Sequence, residues 1–135
     1  MTVHFYVENM NSCSYNIIVK EGDSMYINDS VINKMQDTLK LAGDATRLKI
    51  LSSLLNELDT NEPCTKFIEK CVNDIALQIG CSQSLVSHQL KVLKDGGFVK
   101  SRKEGTKIYY SLKDEHVREI MQITYEHVLE DNNNE

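Results

Sequence analysis

Asp114, His116, His127 and Glu130 follow the spacing D-x-H-x10-H-x2-E near the end of a 135-residue chain. Carboxylate oxygen and imidazole nitrogen are donors that zinc accepts, and four of them complete a tetrahedral set. The two histidines lie eleven residues apart, close to three helical turns, so on one helix they face the same side. At 1.5 Å rise per residue they are roughly 16 Å apart along the axis, too far for one ion to bridge. Two copies of the helix running antiparallel across a two-fold axis remove the difficulty. Asp114 and His116 of one chain then meet His127 and Glu130 of the other, giving two equivalent sites per dimer. The same residues also have a plainer reading as the solvated face of a terminal helix. Asp114 then serves as its cap, and Glu115 and Glu119 sit well at its positive N-terminal end.

The elements that must position these residues can be read from periodicity. Residues 1–30 are polar and mixed, with one β-like run from Tyr15 to Val19, and read as an arm outside the core. Helical spacing begins near Val31 and continues through Ile32, Met35, Leu39 and Leu41-Ala42. A second helix fits Ala45 to Leu58, with Asp44 as N-cap and Leu48, Leu51, Leu54, Leu55 and Leu58 on one stripe. Asn56 to Lys70, which holds the only proline, reads mainly as an extended loop.

Two short helices follow. Val72 to Ile79 has Val72, Ile75, Ala76 and Ile79 to bury, and Gly80 supplies a left-handed stop. Ser82 caps Gln83 to Asp95, where Leu85, Val86, Leu90 and Leu93 are expected to point inward. Gln83, Ser84, Ser87, His88 and Lys91 are left for the outer face, which is the helix-turn-helix pattern. Gly96-Gly97 ends the helix, and Phe98 to Lys103 and Lys107 to Leu112 form a hairpin around Glu104-Gly105-Thr106. The fold class expected is mainly α with a small β-hairpin, a dimeric winged helix-turn-helix. Its last helix runs from about Asp114 to Glu130, with Val117, Ile120, Met121, Thr124 and Val128 as the buried stripe. The domain spans 31–130, and 131–135 is a polar tail.

Composition sets bounds on function. At 41% hydrophobic the chain makes one domain with a modest core. It has no apolar run of membrane-spanning length, and no signal peptide is evident, so a cytoplasmic location is expected. Cys13, Cys64, Cys71 and Cys81 are irregularly spaced and read as thiols or metal ligands rather than a disulfide framework. The net charge is -5, yet Lys91 to Lys107 holds six basic residues against two acids. Such a run is often only a solvated face, and by itself it points weakly to nucleic acid.

The stretch LKLAGDATRLKILSSL, followed by CVNDIALQIGCSQSLVSHQLKVLKDGGFVKSRKEGTKIYYSL, resembles the ArsR/SmtB metal-sensing repressors. The resemblance covers roughly Asp37 to Glu130. It implies a homodimeric winged-helix repressor that sits on double-stranded operator DNA and leaves when metal binds. It also favours metal for Asp114, His116, His127 and Glu130, which look like the family's zinc site on its last helix; the zinc-responsive SmtB and CzrA types are the most similar. Zn2+ is the expected ion, with Co2+, Ni2+ and Cd2+ as alternatives. Arsenic, lead and cadmium sensors carry Cys-Val-Cys at the start of the third helix, where this chain reads Cys71-Val72-Asn73-Asp74. The missing thiolate argues against a trithiolate arsenite site. Cys71 and Asp74 match the SmtB version of a second site, for which Cys13 and His4 are candidate further donors. The alternative is a buried Cys71 and a capping Asp74.

In this reading Gln83, Ser84, Ser87 and His88 reach base edges or phosphates in the major groove. Lys91, Lys100, Arg102, Lys103 and Lys107 contact phosphate and make binding salt-dependent. A symmetric dimer calls for an inverted-repeat operator. Three rivals stand beside it. One is a repressor of the same fold switched by thiol oxidation or a soft metal through Cys71, Cys13 and Cys64. Another is a zinc hydrolase, disfavoured because H-E-x-x-H is missing and four protein donors close the shell. The third is an architectural DNA binder without a ligand.

Overall fold

The computed structural model describes residues 2–6, 16–20, 29–55 and 67–132, the side chains being described for 29–55 and 67–130. It divides into two compact units, Met1–Met35 and Gln36–Glu135. In the first, β1 (Thr2–Tyr6) pairs antiparallel with β2 (Asn16–Lys20), Thr2 opposite Lys20 and Tyr6 opposite Asn16. The sequence reading finds only the second of these strands. The helix α1 (Asp29–Ala42) starts two residues before the expected Val31 and carries into the second unit.

The second unit continues with α2 (Ala45–Ser53), β3 (Lys70–Cys71), α3 (Val72–Ile79), α4 (Gln83–Asp95), β4 (Val99–Glu104), β5 (Lys107–Leu112) and α5 (Glu115–Asn132). Local chemistry sets the boundaries. Asp44 caps α2, its Oδ1 accepting from the Arg47 N–H at 3.0 Å. Ser82 caps α4 by accepting from the Leu85 N–H at 3.2 Å. Gly80 stops α3 in the left-handed region, at φ 69°. At the other end of α4, Gly96 makes room for a neighbour: a Cβ there would lie 2.3 Å from Leu41 Cδ1.

Ile50 and Leu51 from α2 with Leu54 just after it, Ile75 and Ala76 from α3, and Val86, Leu90 and Leu93 from α4 form one core. Phe98, Val99 and Leu112 close it from the wing, and Val117 and Met121 from α5. The wing is a three-stranded antiparallel sheet in the order β3-β5-β4, with Lys70 opposite Tyr110 and Ser101 opposite Tyr110 on the other side.

Four expectations are corrected. The second helix ends at Ser53 instead of Leu58, because the chain turns at Leu54, whose N–H donates to the Leu51 carbonyl while the Leu55 N–H donates to that of Ser52. Lys70-Cys71, expected at the end of a loop and before a helix, is a short strand that completes the wing. Leu85 is exposed, since it lies on the flank of α4, about 100° round the helix from the core-facing Val86, Leu90 and Leu93. On α5 only Val117 and Met121 of the expected stripe are buried, whereas Ile120, Thr124 and Val128 are exposed.

Two measurements follow from the packing. A Cβ at residue 80 meets nothing within 4 Å, so Gly80→Ala costs only the left-handed backbone conformation, about 1–2 kcal/mol. Chemical denaturation should show that loss with an unchanged m-value. Leu90 is fully buried, and Leu90→Ala should cost about 2–5 kcal/mol in the same assay.

Candidate metal centre and nucleic-acid interface

The helix α5 begins on a side-chain cap, with the Val117 N–H donating to Asp114 Oδ1 at 3.1 Å. His116 Nδ1 lies 3.8 Å from the same Oδ1, and both side chains are exposed. Asp114 therefore caps the helix and stands beside His116. His127 and Glu130 are exposed near the far end of α5. At 100° per residue, His116, Ile120, Ile123 and His127 fall on one side of the helix, and Ile120 and Ile123 are exposed apolar side chains. The two histidines thus flank two exposed apolar side chains. Among the described residues, no three His, Cys, Asp or Glu side chains of a single chain converge as a metal-holding group.

At the second candidate site the Cys71 thiol donates to Asp74 Oδ2 at 2.9 Å, with Cys71 at the N-cap position of α3. Cys71 is half-buried, and Asp74 is exposed in the first turn of α3. Cys13 and Cys64 lie outside the described residues, as does the His4 side chain. Cys81 is half-buried against the core, its thiol directed at the Ile79 carbonyl.

The structure places Gln83, Ser84, Ser87, His88 and Lys91 together on the exposed face of α4. Gln83 Nε2 donates to Asn73 Oδ1 at 2.7 Å, joining the two helices of the motif at their N-terminal ends. In the wing, Lys103 and Lys107 are exposed near the tip. Lys100 and Arg102 have intramolecular partners instead. Lys100 Nζ lies 5.0 Å from the Phe67 ring centroid, and Arg102 Cζ 5.2 Å from that of Tyr109. Arg102 is also held by two carboxylates. Its Nε and Nη2 donate to Glu69 at 3.1 and 2.7 Å, and its Nη1 to Glu104 at 2.7 Å. These hydrogen bonds keep the Glu69 carboxyl below its ordinary range and raise the already high Arg102 value.

Sequence reasoning passes over two positioning residues. Arg47 Nε donates to the Leu41 carbonyl at 2.6 Å and its Nη1 to Gln89 Oε1 at 3.0 Å, tying the end of α1 to α4. Lys70 Nζ donates to the Ser53 carbonyl and to Gln78 Oε1, at 2.5 and 2.6 Å. Their only sequence signal is a basic residue inside a mostly apolar helix or next to a strand. No described helix is long and apolar enough to cross a membrane.

Comparison with known proteins agrees with this geometry. A family model described as "Bacterial regulatory protein, arsR family" matches residues 68–101. The chain is 33% identical over 97 residues to a "Transcriptional repressor SmtB homolog" of Synechocystis sp., covering 72% of this chain and 65% of that protein. It is 32% identical over 107 residues to a "Cadmium resistance transcriptional regulatory protein CadC homolog" of Staphylococcus aureus, covering 78% and 88%. Among solved structures, a homodimeric winged helix-turn-helix DNA-binding domain of Mycobacterium bovis superposes with a TM-score of 0.67 at 25% identity, covering 86% and 96%. The matched relatives are transcriptional regulators rather than enzymes. The chain belongs to the ArsR family of bacterial regulatory proteins, DNA-binding winged-helix transcriptional repressors.

Proposed function

We propose that the chain is a metal-responsive repressor that binds an inverted-repeat operator as a homodimer in the cytoplasm and is released by zinc or a similar divalent ion. One observation carries the reading: His116 and His127 share the side of α5 that exposes Ile120 and Ile123. An apolar helix face calls for a covering partner, and a second α5 laid antiparallel supplies one. The same pairing brings Asp114 and His116 of each chain to His127 and Glu130 of the other. The donors fit zinc: two imidazoles and two carboxylates close a tetrahedral shell, leaving no open position for catalysis. Cobalt, nickel and cadmium can occupy the same atoms, and affinity order alone does not choose among them.

Regulation follows from linkage. Zinc that binds the free dimer more tightly than the DNA-bound dimer weakens DNA binding by the same factor that DNA weakens zinc binding. A coupling of about 1–3 kcal/mol changes operator affinity roughly 5- to 150-fold. Clamping the two α5 helices fixes the angle between the two α4 reading heads, and the metal-bound angle misses one half-site.

The Cys71–Asp74 hydrogen bond supports a second, subordinate reading: a further metal site or thiol switch at the start of α3, completed by Cys13 or His4. Cys64 would join it under oxidation.

Zinc titration of the metal-free dimer should count two tight ions, both lost in His127→Ala. Tight binding that survives the substitution would move the sensor to Cys71. Operator DNA held by His116→Ala should stay bound on zinc addition under conditions that release the wild type. Zinc-driven release by that variant would sink the α5 reading.

A further inference from the structure

Arg102 lies within the basic run that suggests phosphate contact, yet in the free protein each of its three guanidinium nitrogens already donates to a carboxylate. Glu69 takes the Nε–Nη2 edge, Glu104 takes Nη1, and the Tyr109 ring covers one face. The register explains why they meet. Arg102 and Cys71 are both paired with Tyr109, so all three stand on one face of the wing sheet. Glu69 precedes Cys71 by two residues and reaches Arg102 across the strand between them. The edge Glu69 occupies is the planar pair of donors that a DNA phosphate would otherwise engage bidentately. Glu69 and Glu104 are both exposed, as is Arg102. An exposed ion pair alone is worth little, but Glu69 engages Arg102 bidentately and Glu104 adds a third hydrogen bond, so a phosphate must displace a carboxylate already in place to reach that edge.

We propose that Glu69 acts as an internal stand-in for a DNA phosphate, holding Arg102 out of the protein–DNA contact and thereby restraining operator affinity. Glu69 is then a positioning residue whose effect on DNA passes through Arg102. Lys103 and Lys107 supply the phosphate contacts of the wing. The proposal rests on the reading that the wing meets DNA.

The experiment is a salt titration of duplex binding by the full-length protein, comparing wild type, Arg102→Ala, Glu69→Gln and the double variant, with circular dichroism on each. Each phosphate contact adds about 0.9 to the slope of log K against log salt. Arg102→Ala should leave the wild-type slope unchanged. Glu69→Gln should bind more tightly and steepen the slope by about 0.9, a difference of roughly 3- to 4-fold in affinity between 50 and 200 mM salt. Adding Arg102→Ala to Glu69→Gln should return the slope to the wild-type value, which the loss of an acidic charge alone would not do. A slope reduced by Arg102→Ala in the wild-type background would overturn the proposal, because Arg102 would then already touch phosphate. So would weaker binding by Glu69→Gln, which would make the pair a brace for the wing. If the wild type bound no duplex at all, the DNA-interface reading would fail first, and this proposal with it.

Discussion

The burial of one stripe of α4 is the constraint on which the rest depends. Val86, Leu90 and Leu93 are removed from water by α2, α3 and the base of the wing, and each fully buried side chain of this size contributes about 1.5–3 kcal/mol. A helix held by that stripe has no rotational freedom left. Gln83, Ser84, Ser87, His88 and Lys91 are turned outward as a consequence of where the leucines go. The polar face is presented rigidly because the apolar face is packed, and rigid presentation of side chains to a groove is what base reading requires.

The helix α5 uses its surface differently. Val117 and Met121 fasten its first half to the common core. Ile120, Ile123, Val128 and Leu129 remain exposed, an arrangement that leaves one chain incompletely buried. Placing the imidazoles beside those residues puts them where an ion would be shielded from water once the residues are covered, and shielding strengthens ion–ligand electrostatics. In the proposed dimer the α5 donors and the apolar residues would share one surface for assembly and sensing.

Much of this is legible in the sequence because it rests on local rules. Asp44, Gly80 and Ser82 announce helix ends through their own backbone and side-chain chemistry, and α3, α4 and β5 fall where periodicity puts them. What is illegible is tertiary. Lys70-Cys71 is a strand only because β5 offers it an edge, and two residues carry no period of their own. Leu85 and the outer residues of α5 read as core by type, since hydrophobicity does not say which of several faces a single chain buries. The basic run is legible as charge, but not the fact that Lys100 and Arg102 are engaged by Phe67 and Glu69 more than thirty residues earlier. For the candidate metal centre, donor types and spacing can be read directly. The Asp114 cap of α5 is legible in the same way, since an aspartate directly before a helix is a capping signal.

The missing side chain at Gly96 has a mechanical meaning. Leu41, from the last turn of α1, fills that space at the C-terminal end of α4, and Arg47 fastens the Leu41 carbonyl to Gln89 one turn and more earlier on the same helix. Two fastenings spaced along α4 resist both sliding and pivoting, so this part of the protomer behaves as a single lever arm. Moving α4 against α1 would mean breaking the Arg47 hydrogen bonds and pulling Leu41 out of the space beside Gly96 together.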